Sequence, residues 1–247
     1  MNERQNKILE LLLKEGKVEV VQLSHMLGVS QVTIRKDLNN LEEKGIIKRE
    51  HGYAIIKNDD NMNMRLAYHY ERKRKIALKA IEDVKDGETV MVESGSCCAL
   101  VVEALSQYRK DITVITNSSF ICDYVQGDIT FILLGGLYQK ESQVNVGPLT
   151  IENAKTFFVD HYFIGTDGFT KEAGFTGKNY MRCESVKAIS DQAKKVIIVT
   201  ESEKFSRQEA VSLIPLSKVY AVVTDQNIPE EDETYLLEHN IKVNKRL

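Results

Sequence analysis

A chain of 247 residues with 43% apolar and 28% charged side chains has material for one or two folded domains, and this excludes a collagen-like or wholly disordered protein. The net charge of −3 does not by itself mark a nucleic-acid binder, although residues 1–57 carry +2 and the remainder −5. No run approaches the roughly 18 apolar residues of a membrane span. The charged start MNERQNKILE lacks a signal-peptide core, so the expectation is a cytoplasmic protein with no membrane partner. Cys97, Cys98, Cys122 and Cys183 form no CxxC pair, and the five histidines are scattered. Four reduced thiols, no metal site and no cofactor are expected.

Ile8 and Leu12, flanked by Leu9 and Leu13 at the same spacing, predict a first helix. Leu23, Met26 and Leu27 predict the buried stripe of a second. Gly28 marks a tight turn, and Ser30 stands in N-cap position before a third helix on which Ile34, Leu38 and Leu41 face inward. Gly45 suits its C-terminus. The outer face of that helix carries Gln31, Thr33, Arg35, Lys36, Asn39 and Asn40. Residues 46–57, IIKREHGYAIIK, predict two short strands around a turn at His51 and Gly52. Three short helices and a hairpin describe a winged helix-turn-helix spanning 1–57.

Arg and Lys can pair with guanine in the major groove, Gln and Asn with adenine, and Thr with a thymine methyl or a phosphate. Ser30, Gln31, Thr33, Arg35, Lys36 and Asn40 are therefore candidate DNA contacts, with Lys48, Arg49 and His51 on the wing meeting phosphate or the minor groove. A merely solvated helix shows a polar face too. Asp37 would repel phosphate, so it is read as structural, paired sideways with Arg35 or Lys36, or with the wing.

The polar string KNDDNMN (57–63) opens a connection over 58–72. Residues 64–84 predict one helix, with ERKRK (71–75) as a solvated charged face and Ile76, Ala77, Ala80, Ile81 and Val84 as a docking stripe. Beyond it, apolar runs at 89–93, 112–116, 129–134, 161–165, 196–201 and 219–224 alternate with helical stretches near 98–107, 119–126, 148–157 and 181–194. That pattern predicts an α/β domain over 73–247 with a mainly parallel sheet buried on both faces.

The predicted strand ends carry Glu93-Ser94-Gly95-Ser96, Asn117, Gly135-Gly136, Thr166-Asp167-Gly168 and Ser202-Glu203-Lys204-Phe205. Open α/β sheets bind ligands in the crevice outside the carboxyl ends of their strands. N–H groups following Gly95, with the hydroxyls of Ser94 and Ser96, suit a phosphate; alone, such a turn is also an ordinary strand-to-helix connection. Lys187 and Lys204 are candidate cations. An alternative is an enzyme with an accessory DNA-binding head. Asp167, Glu184 and Lys187 would then shuttle a proton in a sugar-phosphate isomerase, or Glu93 would act as nucleophile in an acyl-transferase.

Arg4, Ile8 and Leu12, the run from Ser30 to Leu38, and REHGYA (49–54) resemble the signature of the DeoR family of bacterial transcriptional regulators. The strings ESGS (93–96), TN (116–117), LGG (134–136), GTDGF (165–169), Glu184, Lys187 and SEKF (202–205) resemble that family's sensor domain, which is similar to the ribose-5-phosphate isomerase and CoA-transferase fold. The resemblance implies a helix-turn-helix at 20–39 and a homo-oligomer on double-stranded operator DNA. It implies a repressor of a carbohydrate-utilisation operon, not an enzyme, released by a phosphorylated sugar. Glu93, Ser94, Gly95, Ser96, Asn117, Gly135, Gly136, Asp167, Gly168, Glu184, Lys187 and Lys204 would lie at the effector pocket. The chain departs from the family pattern at Tyr53, where a second glycine is common, at Glu93 and Glu201, where Asp is common, and at Cys97 and Cys98, where threonines are.

Overall fold

The computed structural model describes residues 3–43, 46–50, 52–56 and 61–246. The chain divides into two compact units, residues 1–70 and 71–247. Among the described residues, no helix is long and apolar enough to cross a membrane.

In the first unit, α1 (Glu3–Glu15) leads through a short strand β1 (Lys17–Glu19) into α2 (Val20–Leu27) and α3 (Gln31–Glu43). Gly28 ends α2 at φ 65°, the left-handed conformation that glycine adopts without penalty. Ser30 accepts a hydrogen bond from the Thr33 N–H at 3.2 Å, which caps α3. Ile34, Leu38 and Leu41 are fully buried against Ile8, Leu9 and Leu12 of α1 and Leu23 of α2. Met26 departs from the predicted stripe and is 51% exposed. The helix begins at Val20, so its inward row runs Val20, Leu23, Leu27, and Met26 falls one position off it.

Asp37 is structural, but its partners are not those the sequence suggests. It is buried and accepts from Arg4 Nε at 2.5 Å and from Gln5 Nε2, both on α1. Strands β2 (Ile47–Glu50) and β3 (Tyr53–Ile56) form the expected hairpin, and β1 adds a third strand in the order β1-β3-β2. Gly45, His51 and residues 57–60 lie outside the described residues. Residues 62–67, part of the predicted connection, form α4 (Met62–Ala67), capped by Asn61, and its Met64 and Ala67 join the first core. The single helix expected over 64–84 is broken at Tyr68 and His69, the latter at φ 50°.

It resumes as α5 (Tyr70–Ala80), and the second unit then follows a repeating strand–helix order. This comprises β4 (Thr89–Val92), α6 (Ser96–Tyr108), β5 (Ile112–Thr116), α7 (Ser119–Tyr124), β6 (Ile129–Leu133), the hairpin β7 (Leu137–Gln139) and β8 (Val144–Val146), and α8 (Pro148–Ala154). Next come β9 (Val159–Ile164), β10 (Gly168–Thr170), β11 (Gly174–Gly177), α9 (Tyr180–Ser190), β12 (Ala193–Val199), β13 (Val211–Ile214), β14 (Val219–Asp225), α10 (Glu230–Glu238) and β15 (Lys242–Arg246). Seven strands form one sheet in the order β15-β14-β12-β9-β4-β5-β6, every neighbouring pair parallel. Consecutive residues such as Ile197, Ile198 and Val199 are all buried, which requires cover on both faces of the sheet. The chain builds outward from β4 through β5 to β6, then returns to the other side of β4 with β9 and builds the opposite way. The reversal of strand order falls between β4 and β9.

The charged run 71–75 is not the solvated face the sequence suggests. Lys73 is 2% exposed with Nζ 3.5 Å from Glu201 Oε2, and Arg72 donates to Glu203 Oε1 at 3.0 Å. Both acids lie just past the end of β12, so the first turn of α5 is fastened to the carboxyl edge of the sheet. Gly136 lies past β6, where a Cβ would come 2.0 Å from Thr150 Oγ1 and 2.8 Å from the Val146 carbonyl oxygen. The chain passes so close to β8 and α8 that only glycine fits.

Two stability outcomes follow from this packing. Gly136→Ala is expected to cost about 1–3 kcal/mol through overpacking, read as a lowered thermal midpoint; an unchanged midpoint would show that Thr150 yields freely. Lys73→Met strands a buried carboxylate and is expected to cost roughly 3–5 kcal/mol in urea unfolding, whereas Lys73→Met with Glu201→Leu recovers most of it. Equal losses in the single and double variants would assign the effect to packing instead of charge.

Candidate nucleic-acid interface and ligand crevice

With Ile34, Asp37, Leu38 and Leu41 turned inward, α3 presents Arg35 and Lys36 to solvent and Gln31 and Thr33 beside them. Arg35 Nη2 lies 3.4 Å from Gln31 Oε1, one turn earlier, and the hydroxyls of Thr33 and Ser30 are 2.9 Å apart. Val32 is 74% exposed on the same helix. It is an unpredicted member of this face, and the signal for it was its place two residues ahead of Ile34, off the inward row.

Asn40 is turned the other way, and its Oδ1 accepts from Gln5 Nε2 of α1 at 3.3 Å. Arg49 donates to Asn39 Oδ1, and the Arg49 N–H donates to Glu42 Oε1 at 3.0 Å, so the wing strand β2 is strapped to the end of α3. Lys48 is exposed and pairs with Glu50 at 2.6 Å. His51 lies outside the described residues.

In the second unit the crevice opens at the strand reversal. A Cβ on Gly95 would lie 3.6 Å from Gly165 Cα and 3.2 Å from Glu93 Oε2, so the loops after β4 and β9 touch backbone to backbone. The Glu93 carboxylate sits in this gap, accepting from Ser94 Oγ at 2.8 Å and from the Gly165 N–H at 3.4 Å. Gly95 occupies the N-cap of α6 and supplies no side-chain cap to its first turn, where Ser96 begins the helix. Uncapped N–H groups at a helix N-terminus attract anions through both hydrogen bonding and the helix dipole.

Asp167, after β9, accepts the Lys178 N–H at 3.1 Å. Lys187 and Glu184 of α9 pair at 2.9 Å, both partly exposed. A Cβ on Gly177 would lie 2.6 Å from Cys183 Sγ and 3.7 Å from Asp167 Oδ2, so α9 packs beside the loop after β9. The Cys183 thiol is pushed up to about 11, first by burial and then by Asp167 and Glu93, with Lys187 opposing. Glu93, Ser94, Gly95, Ser96 and Asp167 thus lie on the segments that leave β4 and β9, and Glu184 and Lys187 on α9.

The remaining predicted positions lie elsewhere at the strand ends. Asn117, buried after β5, donates to the Asn145 carbonyl at 2.9 Å and accepts its N–H at 2.8 Å. Asn145 also donates to the Leu134 carbonyl, which pins β8 over the ends of β5 and β6. The Gly135 carbonyl accepts from Thr150 at 2.8 Å, and Gly136 is the close approach described above. At Gly168 a Cβ would lie 2.5 Å from the Arg207 carbonyl oxygen. Lys204 is half-buried in a short 3-10 turn (Ser202–Lys204), whose Ser202 donates N–H and Oγ to Asp225, each at 2.8 Å. Burial pushes the Asp225 carboxyl up, but hydrogen bonds from Ser202 and Asn227 and the nearby Arg72 outweigh it and hold it below its ordinary value.

Residues 4–59 match the family model of the DeoR-like helix-turn-helix domain, and residues 68–226 match that of the DeoR C-terminal sensor domain. The chain is 28% identical to the glycerol-3-phosphate regulon repressor of Escherichia coli (strain K12), over 98% of this chain and 97% of the relative. It is 30% identical to the HTH-type transcriptional regulator GolR of Listeria innocua, over 92% and 91%, and 24% identical to the L-fucose operon activator of Haemophilus influenzae, over 98% of each. Ribose 5-phosphate isomerase A from Methanocaldococcus jannaschii aligns at 19% identity over 55% of this chain and 54% of its own, with a TM-score of 0.40. With a reading head and a strand-end sensor unit each matched by its own family model, the chain belongs to the DeoR family and is a transcriptional regulator rather than an enzyme.

Proposed function

We infer that this protein is a cytoplasmic repressor of a carbohydrate-utilisation operon that binds operator DNA as a homo-oligomer and is released by a phosphorylated sugar. The observation that carries the DNA-binding reading is the outer face of α3. Arg35 and Lys36 stand exposed on a helix whose other side is locked into the core. In that reading Arg35 and Gln31 address base edges, Val32 meets a thymine methyl, and Ser30, Thr33 and Lys36 contact base or phosphate. Lys48 and Arg49 on the wing, with His51, meet the backbone, while Asn40 and Asn39 hold α3 and the wing in register. One small head reads a short half-site, so paired heads are needed for specificity.

In the sensor unit, the phosphate sits on the N–H groups of the first turn of α6 with Ser94 and Ser96, and Lys187 and Lys204 supply positive charge. Glu93, Asp167 and Glu184 accept sugar hydroxyls. Lys187 already has a carboxylate partner in Glu184, so a phosphate must compete for it, and its exchange of partners is a local event able to shift the loops around the reversal. A coupling of about 1–3 kcal/mol between effector and operator changes affinity several-fold to a hundredfold. The name of the glycerol-3-phosphate regulon repressor supports a phosphorylated sugar or polyol as effector class. One of the relatives is named an activator, which favours a second reading in which the same effector binding recruits rather than releases transcription.

Arg35→Ala is expected to weaken operator binding roughly ten- to hundredfold while bulk DNA binding falls far less, measured by fluorescence anisotropy with operator and scrambled duplexes. Equal losses would make Arg35 a phosphate contact only. In a thermal-shift screen, phosphorylated sugars are expected to raise the melting temperature of the native chain, as a ligand bound only by the folded state must. Ser94→Ala and Lys187→Ala should each lose that shift and keep operator affinity. Loss of operator binding together with the shift would mark these as folding residues and sink the effector assignment.

A further inference from the structure

The two edges of the seven-stranded sheet are built differently. At one end β15 has the sequence Lys-Val-Asn-Lys-Arg, three basic residues in five, which is how proteins discourage a foreign strand from pairing. At the other end β6 reads Ile-Thr-Phe-Ile-Leu, with no charge and no proline, and β5 is its single neighbour. Leu134 donates its N–H inward to the Thr116 carbonyl at 2.8 Å. Alternation along the strand then turns the N–H groups of Ile132 and Thr130 toward β5 and those of Phe131 and Leu133 outward. Leu133, at the end of the strand, is 44% exposed, and Leu137 and Tyr138, in the next strand along the chain, are 58% and 50% exposed.

We propose that the outer edge of β6 is where two copies of this chain join, strand to strand and antiparallel, into one continuous sheet. The proposal rests on the homo-oligomer reading above and assigns its surface. A two-fold axis at Phe131 sets Phe131 against its own copy and Ile129 against Leu133. These are the residues whose backbone groups face outward, so donors and acceptors match in this register. Thr130 then stands opposite Ile132. No like charges meet, because β6 has none. A second copy is the partner that this neutral, self-complementary edge fits. The blocked edge at β15 stops the joined sheet from growing into a fibre.

The test uses the full-length chain in sedimentation velocity and light scattering. The native protein is expected at an even multiple of its mass, and Leu133→Lys or Thr130→Lys, both at exposed positions, at half that value with an unchanged far-UV circular dichroism spectrum. Leu237→Lys, on α10 next to the other edge, keeps the native mass. Hydrogen exchange supplies the second readout. The amides of Phe131 and Leu133 should exchange slowly in the oligomer and at least tenfold faster after dilution to monomer. A monomer at all concentrations, native mass in both β6 variants, or fast exchange at those two amides in the intact oligomer would overturn the proposal. Native mass in the β6 variants with normal operator binding removes this edge and leaves the regulator standing. A dimer lost in the variants but blind to promoter DNA does the reverse.

Discussion

The sensor unit depends on a reversal of strand order. Parallel strands joined by right-handed crossovers progress across a sheet in one direction until the chain returns to the starting strand and continues the other way. Here β4 and β9 are the strands on either side of that return. The gap is lined by the segments after both strands, and Gly95 and Gly165 let those segments meet without side chains between them. Glu93 is held in the gap by a hydroxyl and a backbone N–H. With the pair formed by Lys187 and Glu184 nearby, the crevice holds more carboxylates than cations. In the proposed reading, an anion there would depend on backbone N–H groups as much as on lysine.

The reading head depends on a smaller device. Asp37 lies in the middle of the recognition helix, where a free carboxylate would oppose DNA. Instead it is buried against Arg4 and Gln5, locking α3 to α1 on the side away from the exposed face. The same helix is held at its far end by the wing through Asn39 and Glu42. Two fastenings on one helix leave Arg35 and Lys36 presented by a rigid support, as base recognition requires.

Much of this was legible in the residues. The six long strands of the central sheet are continuous apolar runs, and Gly28 with Ser30 announces the turn into α3. Short or amphipathic-poor elements were not. The strands β1, β7, β8, β10, β11 and β13 are three or four residues each and carry no period to detect. Asn61 at the cap of α4 lies in a polar string that reads as linker. Around the crevice, composition located the strand ends but not the jobs of their residues. Gly136 and Gly168 are required by neighbours distant in sequence, Thr150 and Arg207, and Asn117 by the Asn145 backbone. The packing of Cys183 on α9 beside Asp167 after β9 is a property of the three-dimensional fold that no spacing along the chain encodes.

The buried pair of Lys73 and Glu201 has a mechanical meaning. A buried ion pair is costly to separate, so the first turn of α5 and the segment beyond β12 are held as one piece, with Arg72 and Glu203 as a second tie beside it. A displacement of that segment would carry with it the point where the polypeptide enters the sensor unit.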